Sequence, residues 1–212
     1  TKYSDEINKE KYRSEISPRE NISRIKQICE NFIENFENSN EKNLLFTGNT
    51  GLGKTFLSSC IANEVLKKGK QVIVLVPEIS LTPQLVNVFK SRFKSSIAIL
   101  HSALSDGEKY DEWRKIERNE VSIVIGARSA IFAPLNNIGV IIIDEEHSEN
   151  YKQENNPRYN ALDIALFRSK YHNAKLILGS ATPSIESYTK AKIGVYELME
   201  MKNRVNNNLP KV

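Results

Sequence analysis

Cysteine is scarce in this chain, and long apolar runs are absent from it. The two cysteines, Cys29 and Cys60, lie far apart and form no Cys-x-x-Cys pair, so neither a zinc cluster nor a disulfide framework is supported. No apolar run approaches the length of a membrane span, and no signal peptide is present, which predicts a cytoplasmic protein without a membrane partner. The net charge of +4 is too small to indicate nucleic-acid binding by itself.

The size and composition suit one globular α/β domain with a small appendage. The 212 residues are 40% hydrophobic and 26% charged, which is ordinary for a globular protein. The chain begins at Thr1 rather than at methionine and stops shortly after Pro210, from which we expect a fragment of a longer protein.

The first forty residues predict an extension with one helix. Ser17 and Glu20 form a capping box around Pro18, which occupies the first helical position. An apolar stripe with helical spacing follows, and its members are Ile22, Ile25, Ile28, Cys29, Phe32, Ile33 and Phe36. We therefore expect an N-terminal amphipathic helix within residues 1–40 and a main domain over residues 41–212.

From residue 44 onward, β-branched runs alternate with helical patterns. This alternation predicts a mainly parallel sheet with helices on both faces. The predicted strands are 44–47, 71–76, 96–100, 121–125, 139–143, 175–179 and 195–199. The predicted helices are 54–68, 83–93, 106–118, 160–170 and 184–192, the third capped by Ser105 and Glu108.

A glycine-rich run joins the first predicted strand to the first predicted helix. It fits the pattern GxxxxGK followed by Ser or Thr, in which backbone N–H groups at a helix N-terminus cradle phosphates. Lys54 is expected to meet the β- and γ-phosphates, and Thr55 to offer its hydroxyl to Mg²⁺. The predicted nucleotide-binding residues are Gly48, Asn49, Thr50, Gly51, Leu52, Gly53, Lys54 and Thr55.

An acidic run follows the apolar strand at 139–143. Asp144 is expected to hold the magnesium shell, and Glu145 to orient and deprotonate the attacking water. Adjacent acids after a strand also serve simply to cap the next helix. Glu146 is expected to be solvated, and His147 either senses the γ-phosphate side or is structural or exposed.

The two runs together predict a P-loop NTPase that uses Mg²⁺, with Lys54, Asp144 and Glu145 as the predicted catalytic residues.

Segments after about residue 68 resemble, in order, the motifs of the primosomal replication-restart helicases, the PriA family. The matching segments are VPEISLTPQ at 76–84, LHSALS at 100–105, IGARSA at 125–130, DEEH at 144–147, YKQ at 151–153, PRY at 157–159 and GSATPS at 179–184. The resemblance implies a RecA-like three-layer sandwich with ATP and Mg²⁺ as cofactors, and the first ATPase lobe of a 3′–5′ DNA translocase. It implies single-stranded or forked DNA, the primosome and helicase-loading proteins as partners.

The resemblance also implies roles for individual residues. His147, Ser180 and Thr182 would couple the two ends of the site. The residues implied near DNA are Ser80, Thr82, Gln84, Arg128, Ser129, Tyr151, Lys152, Arg158 and Tyr159. Arg128 and Ser129 would grip the backbone or brace the loop that does, and Tyr151 and Tyr159 would stack on bases or form a packed loop. Leu162 departs from the family, which usually has arginine there.

Residues 1 to about 70 resemble instead a DnaC/IstB-type AAA+ helicase loader, which suggests a fusion of two P-loop ATPases near residue 70. Either resemblance implies that the phosphate-loop strand lies beside the magnesium-aspartate strand. The glutamine motif that recognises adenine in such helicases is not recognisable, so adenine specificity rests on analogy.

Three functions remain open: a helicase ATPase lobe, a loader ATPase acting through protein contacts, and a non-catalytic nucleotide- or DNA-binding module. The resemblance to two-lobed motors implies weak turnover and no unwinding by these 212 residues alone, since an arginine supplied to the transferring phosphate is worth about three to five orders of magnitude in rate.

Overall fold

The computed structural model describes residues 43–48, 54–93 and 97–201. At 54–57, 83–85, 88, 92 and 201 only the backbone is described. The predicted N-terminal helix and most of the phosphate loop lie outside the described residues.

Strands and helices alternate along the described part of the chain. The strands are β1 Asn43–Gly48, β2 Gln71–Leu75, β3 Ile97–Leu100, β4 Ile123–Gly126, β5 Ile138–Ile143, β6 Lys152–Gln153, β7 Tyr159–Asn160, β8 Lys175–Ser180 and β9 Glu197–Met201. The α-helices are α1 Lys54–Lys67, α2 Pro83–Phe93, α3 Asp106–Glu117, α4 Ala161–Tyr171 and α5 Ile185–Lys192. Three short 3₁₀ turns cover Glu78–Ser80, Arg128–Phe132 and Glu149–Tyr151. None of these described helices is long and apolar enough to cross a membrane.

Local patterns predicted these elements well. Each strand and helix predicted from residue 44 onward is present within a few residues of its expected ends. The capping box at the start of α3 is also present: the Ser105 side chain accepts from the Glu108 N–H, and the Glu108 carboxylate accepts from the Ser105 N–H. The hydrogen bonds from Ser105 lower the pKa of the exposed Glu108 carboxyl. The two-residue strands β6 and β7 were not predicted.

Seven strands form one parallel sheet, in the order β3-β4-β2-β5-β8-β1-β9. Parallel neighbours need helical crossovers, which cover both faces of the sheet, so the central strands are apolar on both sides. Ile73 on β2, Ile125 on β4 and Ile141 on β5 are fully buried as a result. The predicted α/β fold with a mainly parallel sheet is confirmed.

Strand β8 lies between the phosphate-loop strand β1 and the aspartate strand β5, pairing with both. The expectation that β1 and β5 are direct neighbours is therefore wrong; two strand spacings put them about 10 Å apart. The intervening strand ends in the small residues Gly179 and Ser180. A Cβ at Gly179 would approach the Asp144 Oδ1 to 3.5 Å, so glycine leaves space beside that carboxylate.

Candidate nucleotide site and nucleic-acid cleft

Asp144 stands at the carboxyl edge of the sheet, where parallel α/β sheets bind their ligands. Its N–H donates to the Leu75 carbonyl over 2.9 Å, which extends the contact between β5 and β2 by one residue. The next residue, Glu145, has a φ of 47°, and its N–H donates to the Asp144 Oδ1 over 3.1 Å. A left-handed conformation costs a non-glycine residue about 1–2 kcal/mol, so this turn is a sharp, strained exit from the strand.

Glu146 is buried, with 3% of its surface exposed. Its Oε1 accepts from the Ser184 N–H over 2.7 Å, and its Oε2 accepts from the Ser184 and Ser187 hydroxyls over 3.1 and 2.9 Å. The carboxylate thus sits at the N-terminus of α5, where the helix dipole favours negative charge. The expectation that Glu146 is solvated is wrong, because its partners lie about forty residues further along the chain.

His147, Ser180 and Thr182 come together as a connected group. The His147 Nδ1 and the Ser180 Oγ are 2.8 Å apart, and the same Oγ accepts from the Thr182 N–H over 3.0 Å. The Glu145 Oε2 lies 3.6 Å from the His147 Nδ1. The imidazole therefore contacts both the strained turn after β5 and the end of β8.

The Tyr151 side chain connects Asp144 to the segment that follows the turn after β5. Its ring is 1% exposed, and its hydroxyl donates to the Asp144 carbonyl over 2.5 Å. Burial, followed by the nearby carboxylates of Asp144, Glu145 and Glu146, raises the pKa of the Tyr151 phenol, so the hydroxyl keeps the proton that it donates. The expectation that Tyr151 stacks on a base is wrong here, because a ring buried in this way has no face for a base.

Arg128 braces the same segment from the other side. Its Nη1 donates to the Asn150 carbonyl over 3.2 Å and to the Lys152 carbonyl over 2.5 Å. Its guanidinium also lies 5.7 Å from the centre of the Tyr159 ring. Of the two roles that the resemblance implied for Arg128, these contacts correspond to bracing a loop.

A cleft of about 770 Å³ opens beside this brace. Five of the residues predicted near DNA line it: Arg128, Ser129, Tyr151, Lys152 and Tyr159. The lining also includes His101, Ser102 and Lys109, for which sequence reasoning gave no role, although LHSALS at 100–105 was among the matched segments.

The remaining DNA predictions fall outside the described lining of this cleft. Ser80 is half-buried, and Thr82 and Arg158 are exposed, while the side chain of Gln84 is not described.

The lining of the cleft carries acids as well as bases. The acids are Glu78, Glu149 and Glu154, and the bases include Lys109, Arg128 and Lys152. The cleft is therefore polar and mixed in charge rather than strongly basic.

The described ends of the phosphate loop are consistent with its predicted geometry. Strand β1 ends at Gly48 and helix α1 begins at Lys54, so the loop leads into a helix N-terminus. Residues 49–53 and the side chains of Lys54 and Thr55 lie outside the described part, so their predicted phosphate and magnesium contacts stay predictions.

Asp144 fits a magnesium ligand by chemistry and position. It is a half-buried oxygen donor with the side-chain-free Gly179 beside it. Within the described residues, no three His, Cys, Asp or Glu side chains cluster closely enough to hold a metal ion. Mg²⁺ in ATPases needs no such cluster, since it is bound through one or two carboxylates, phosphates and waters.

Comparison with known proteins places this geometry in a family context. Residues 26–191 match the DEAD/DEAH box helicase model, without a break at the junction expected near residue 70. The replication restart protein PriA of Bacillus subtilis (strain 168) is 57% identical over 180 residues, covering 84% of this chain and 22% of that protein. PriA of Chlamydia pneumoniae is 49% identical over 162 residues, covering 76% of this chain and 22% of the relative. The chain thus spans about a fifth of the length of these relatives, and these matches do not show the loader resemblance of the N-terminal segment.

Solved structures confirm the fold. The structure of RecG bound to a three-way DNA junction has a TM-score of 0.57 and 21% identity, covering 99% of this chain and 26% of that one. The Pyrococcus furiosus Hef helicase domain has a TM-score of 0.57 and 20% identity, covering 83% of this chain and 38% of that one. At such identities the likeness concerns the architecture alone.

Proposed function

The chain belongs to the DEAD/DEAH box helicase family, and we propose that it is the ATP-binding and ATP-hydrolysing lobe of a replication-restart DNA helicase. The relatives named PriA support the replication-restart assignment. The helicase-loader alternative is not favoured, because the helicase family model covers residues 26–191 and so most of the segment that suggested a loader.

One observation carries the proposal: a continuous set of contacts from the catalytic edge to the cleft wall. Tyr151 donates to the Asp144 carbonyl, and Arg128 donates to the carbonyls on either side of Tyr151. Arg128 in turn lies over Tyr159, which lines the cleft. A ligand that displaces the cleft wall therefore shifts the Asp144 backbone through only a few intervening residues. A DNA-stimulated ATPase requires a connection of this kind between its DNA site and its catalytic site.

Different residues at the edge of the sheet bind the phosphates, hold the metal ion and activate the attacking water. The phosphate loop and Lys54 hold the phosphates, while Thr55 and Asp144 hold Mg²⁺, which when bound neutralises charge on the phosphates. Glu145 accepts a hydrogen bond from the attacking water and takes its proton. His147 holds the Glu145 turn against Ser180, and so keeps that carboxylate close to the end of β8.

The cleft is the proposed path of single-stranded or forked DNA. Arg128 braces its wall, while Ser129, Lys152 and Tyr159 offer the hydroxyl, ammonium and aromatic groups that contact phosphates and bases. Primosomal proteins as partners and a cytoplasmic location belong to the same proposal, in keeping with relatives that are named for replication restart. We propose weak turnover for the 212 residues alone, because a second lobe supplies the transition-state arginines in motors of this kind.

ATP affinity and ATP turnover, measured with and without single-stranded DNA, test this function. We expect the wild-type chain to bind Mg²⁺–ATP and Lys54→Ala to bind it at least about tenfold more weakly, since the lysine charge meets the phosphates. We expect single-stranded DNA to increase wild-type turnover. Tight ATP binding by Lys54→Ala, or turnover indifferent to DNA, would contradict the proposal.

A further inference from the structure

Phe132 is an exposed aromatic residue on a segment whose other apolar residues are buried. It ends the 3₁₀ turn Arg128–Phe132, and 46% of its surface is exposed. Its neighbours Ile131 and Ala133 are fully buried, and Leu135 is 2% exposed. The segment is thus anchored in the core on both sides of the one large apolar side chain that it leaves in solvent.

A single arginine fixes the backbone around Phe132. From α4, the Arg168 Nη1 donates to the Ile131 carbonyl over 2.5 Å and to the Ala133 carbonyl over 2.9 Å, and Nη2 donates to the Leu135 carbonyl over 3.2 Å. Burial lowers the pKa of the Arg168 guanidinium, although an arginine stays charged in a protein. Hydrogen bonds from a charged donor are the stronger kind, so the backbone that carries Phe132 is held in a fixed place.

The ring also packs against a residue of the cleft wall. Phe132 meets Tyr159 edge-to-face, with ring centres 5.0 Å apart and planes at 73°. Tyr159 lines the cleft and carries the Arg128 guanidinium 5.7 Å from its ring centre. Arg128, Tyr159 and Phe132 therefore form one connected group, in which Arg128 and Tyr159 line the cleft and Phe132 packs against Tyr159, and we call it the aromatic rim.

We propose that Phe132 is a nucleic-acid-binding residue, on whose exposed ring an unpaired DNA base stacks at the end of the cleft. The inference rests on the proposed function, since it names the group that the DNA path presents to a base. The cleft lining is mixed in charge, so phosphate attraction alone gives it little grip, whereas stacking needs only a fixed, exposed aromatic face. A rigid ring loses little conformational entropy when a base covers it.

The test compares a short oligothymidylate with an oligomer of the same length that lacks bases, using fluorescence anisotropy. Phe132→Ala should weaken oligothymidylate binding about tenfold, a loss within the range for one stacked base, and leave binding of the abasic oligomer unchanged. Phe132→Trp should retain the wild-type preference for bases. Phe132→Leu, which keeps apolar bulk and so protects the fold, should lose the preference as Phe132→Ala does.

Phe167→Ala is the matched control. Phe167 is 71% exposed on α4 and stacks on Tyr171 rather than on Tyr159, so its loss should leave both oligomers bound as in the wild type. Equal oligothymidylate affinity for the wild type and Phe132→Leu overturns the stacking role, while wild-type DNA binding and DNA-stimulated turnover would still support the proposed function. A wild-type chain that binds neither oligomer overturns both.

Discussion

The turn after β5 and the wall of the cleft are neighbouring regions that differ in how their side chains are used. Those of the turn contact other protein groups, whereas several of those in the wall stay exposed. In the turn, Asp144, Glu145, Glu146 and His147 all contact other protein groups. In the wall, Ser129 and Lys152 stay exposed, as does the nearby Phe132. Prearranged groups lower the cost of reorganisation during chemistry, whereas exposed groups on a braced loop are available to an incoming ligand.

The comparison separates two adjacent glutamates that look equivalent in the sequence. Glu145 is half-exposed on a strained turn, while Glu146 is buried between β5 and α5. We infer that Glu145 takes part in hydrolysis, whereas Glu146 positions the turn after β5 against α5. Tyr151 and Arg128 then connect the turn to the wall.

The largest expected effect is on turnover, through Glu145. Glu145→Gln keeps the side-chain shape but removes the proton acceptor, so hydrolysis should fall at least about 100-fold while ATP affinity is retained. Single-turnover hydrolysis of labelled ATP, with protein in excess, measures this on a slow enzyme. The matched control is Glu149→Gln, an exposed glutamate four residues further on, which should turn over as the wild type. Unchanged hydrolysis in Glu145→Gln would remove the distinction between the two glutamates.

Glu146 should affect stability first. Glu146→Ala leaves the Ser184 N–H, the partly buried Ser184 hydroxyl and the buried Ser187 hydroxyl without their acceptor, and the free energy of unfolding should fall by about 3 kcal/mol. Glu146→Gln retains an acceptor and should lose less than half as much. Urea unfolding followed by circular dichroism measures both, with the exposed Glu149→Ala as a control that should stay within about 0.5 kcal/mol of the wild type. A neutral Glu146→Ala would mean that this contact does not hold α5.

Arg128 tests whether the cleft wall reaches the turn. Arg128→Ala removes the donor to the Asn150 and Lys152 carbonyls, so stimulation of ATP turnover by DNA should fall about tenfold, with a smaller change in the DNA-free rate. Arg158→Ala removes an equal charge from outside the described lining and should reduce stimulation less. Equal losses in the two variants would indicate that only charge matters.

Tyr151 should give the smallest effect at neutral pH and a distinct one in alkali. Burial raises its folded pKa above the ordinary value of 10.0, so unfolding releases a proton once the pH passes about 10. The stabilisation is thus complete below pH 10 and is lost above it, by up to about 1.4 kcal/mol per pH unit. Tyr151→Phe lacks this proton, so its unfolding free energy should decline less steeply between pH 10 and 11.5. Parallel slopes would show that the phenol is not held protonated.

The sequence predicted what local patterns control. Strand periodicity located β2 and β5, and the capping box of Ser105 and Glu108 located the start of α3, because these signals involve neighbours in the chain. The position of Asp144 at the edge of the sheet followed from the strand that precedes it.

Long-range packing decided the rest. The Glu146 carboxylate accepts hydrogen bonds from residues that lie 38 and 41 positions further along the chain. Nothing near Glu146 in the sequence marks Ser184 and Ser187 as its partners. In the sequence, Tyr151 does not differ from other loop tyrosines. Only the structure shows that its hydroxyl donates to the Asp144 carbonyl. The placement of β8 between β1 and β5 is likewise a property of the whole sheet, and alternating strands and helices do not determine it.

The central claim is that the phosphate loop after β1 and the turn after β5 build one magnesium–nucleotide site across the end of β8. A double-mutant cycle on Mg²⁺-dependent ATP affinity tests it, with Thr55→Val removing the hydroxyl and Asp144→Asn removing the carboxylate charge. If both groups hold the same ion, each single variant weakens binding and the double variant binds about as weakly as the worse single variant. Additive losses would contradict the claim, because they would place the two groups on independent sites.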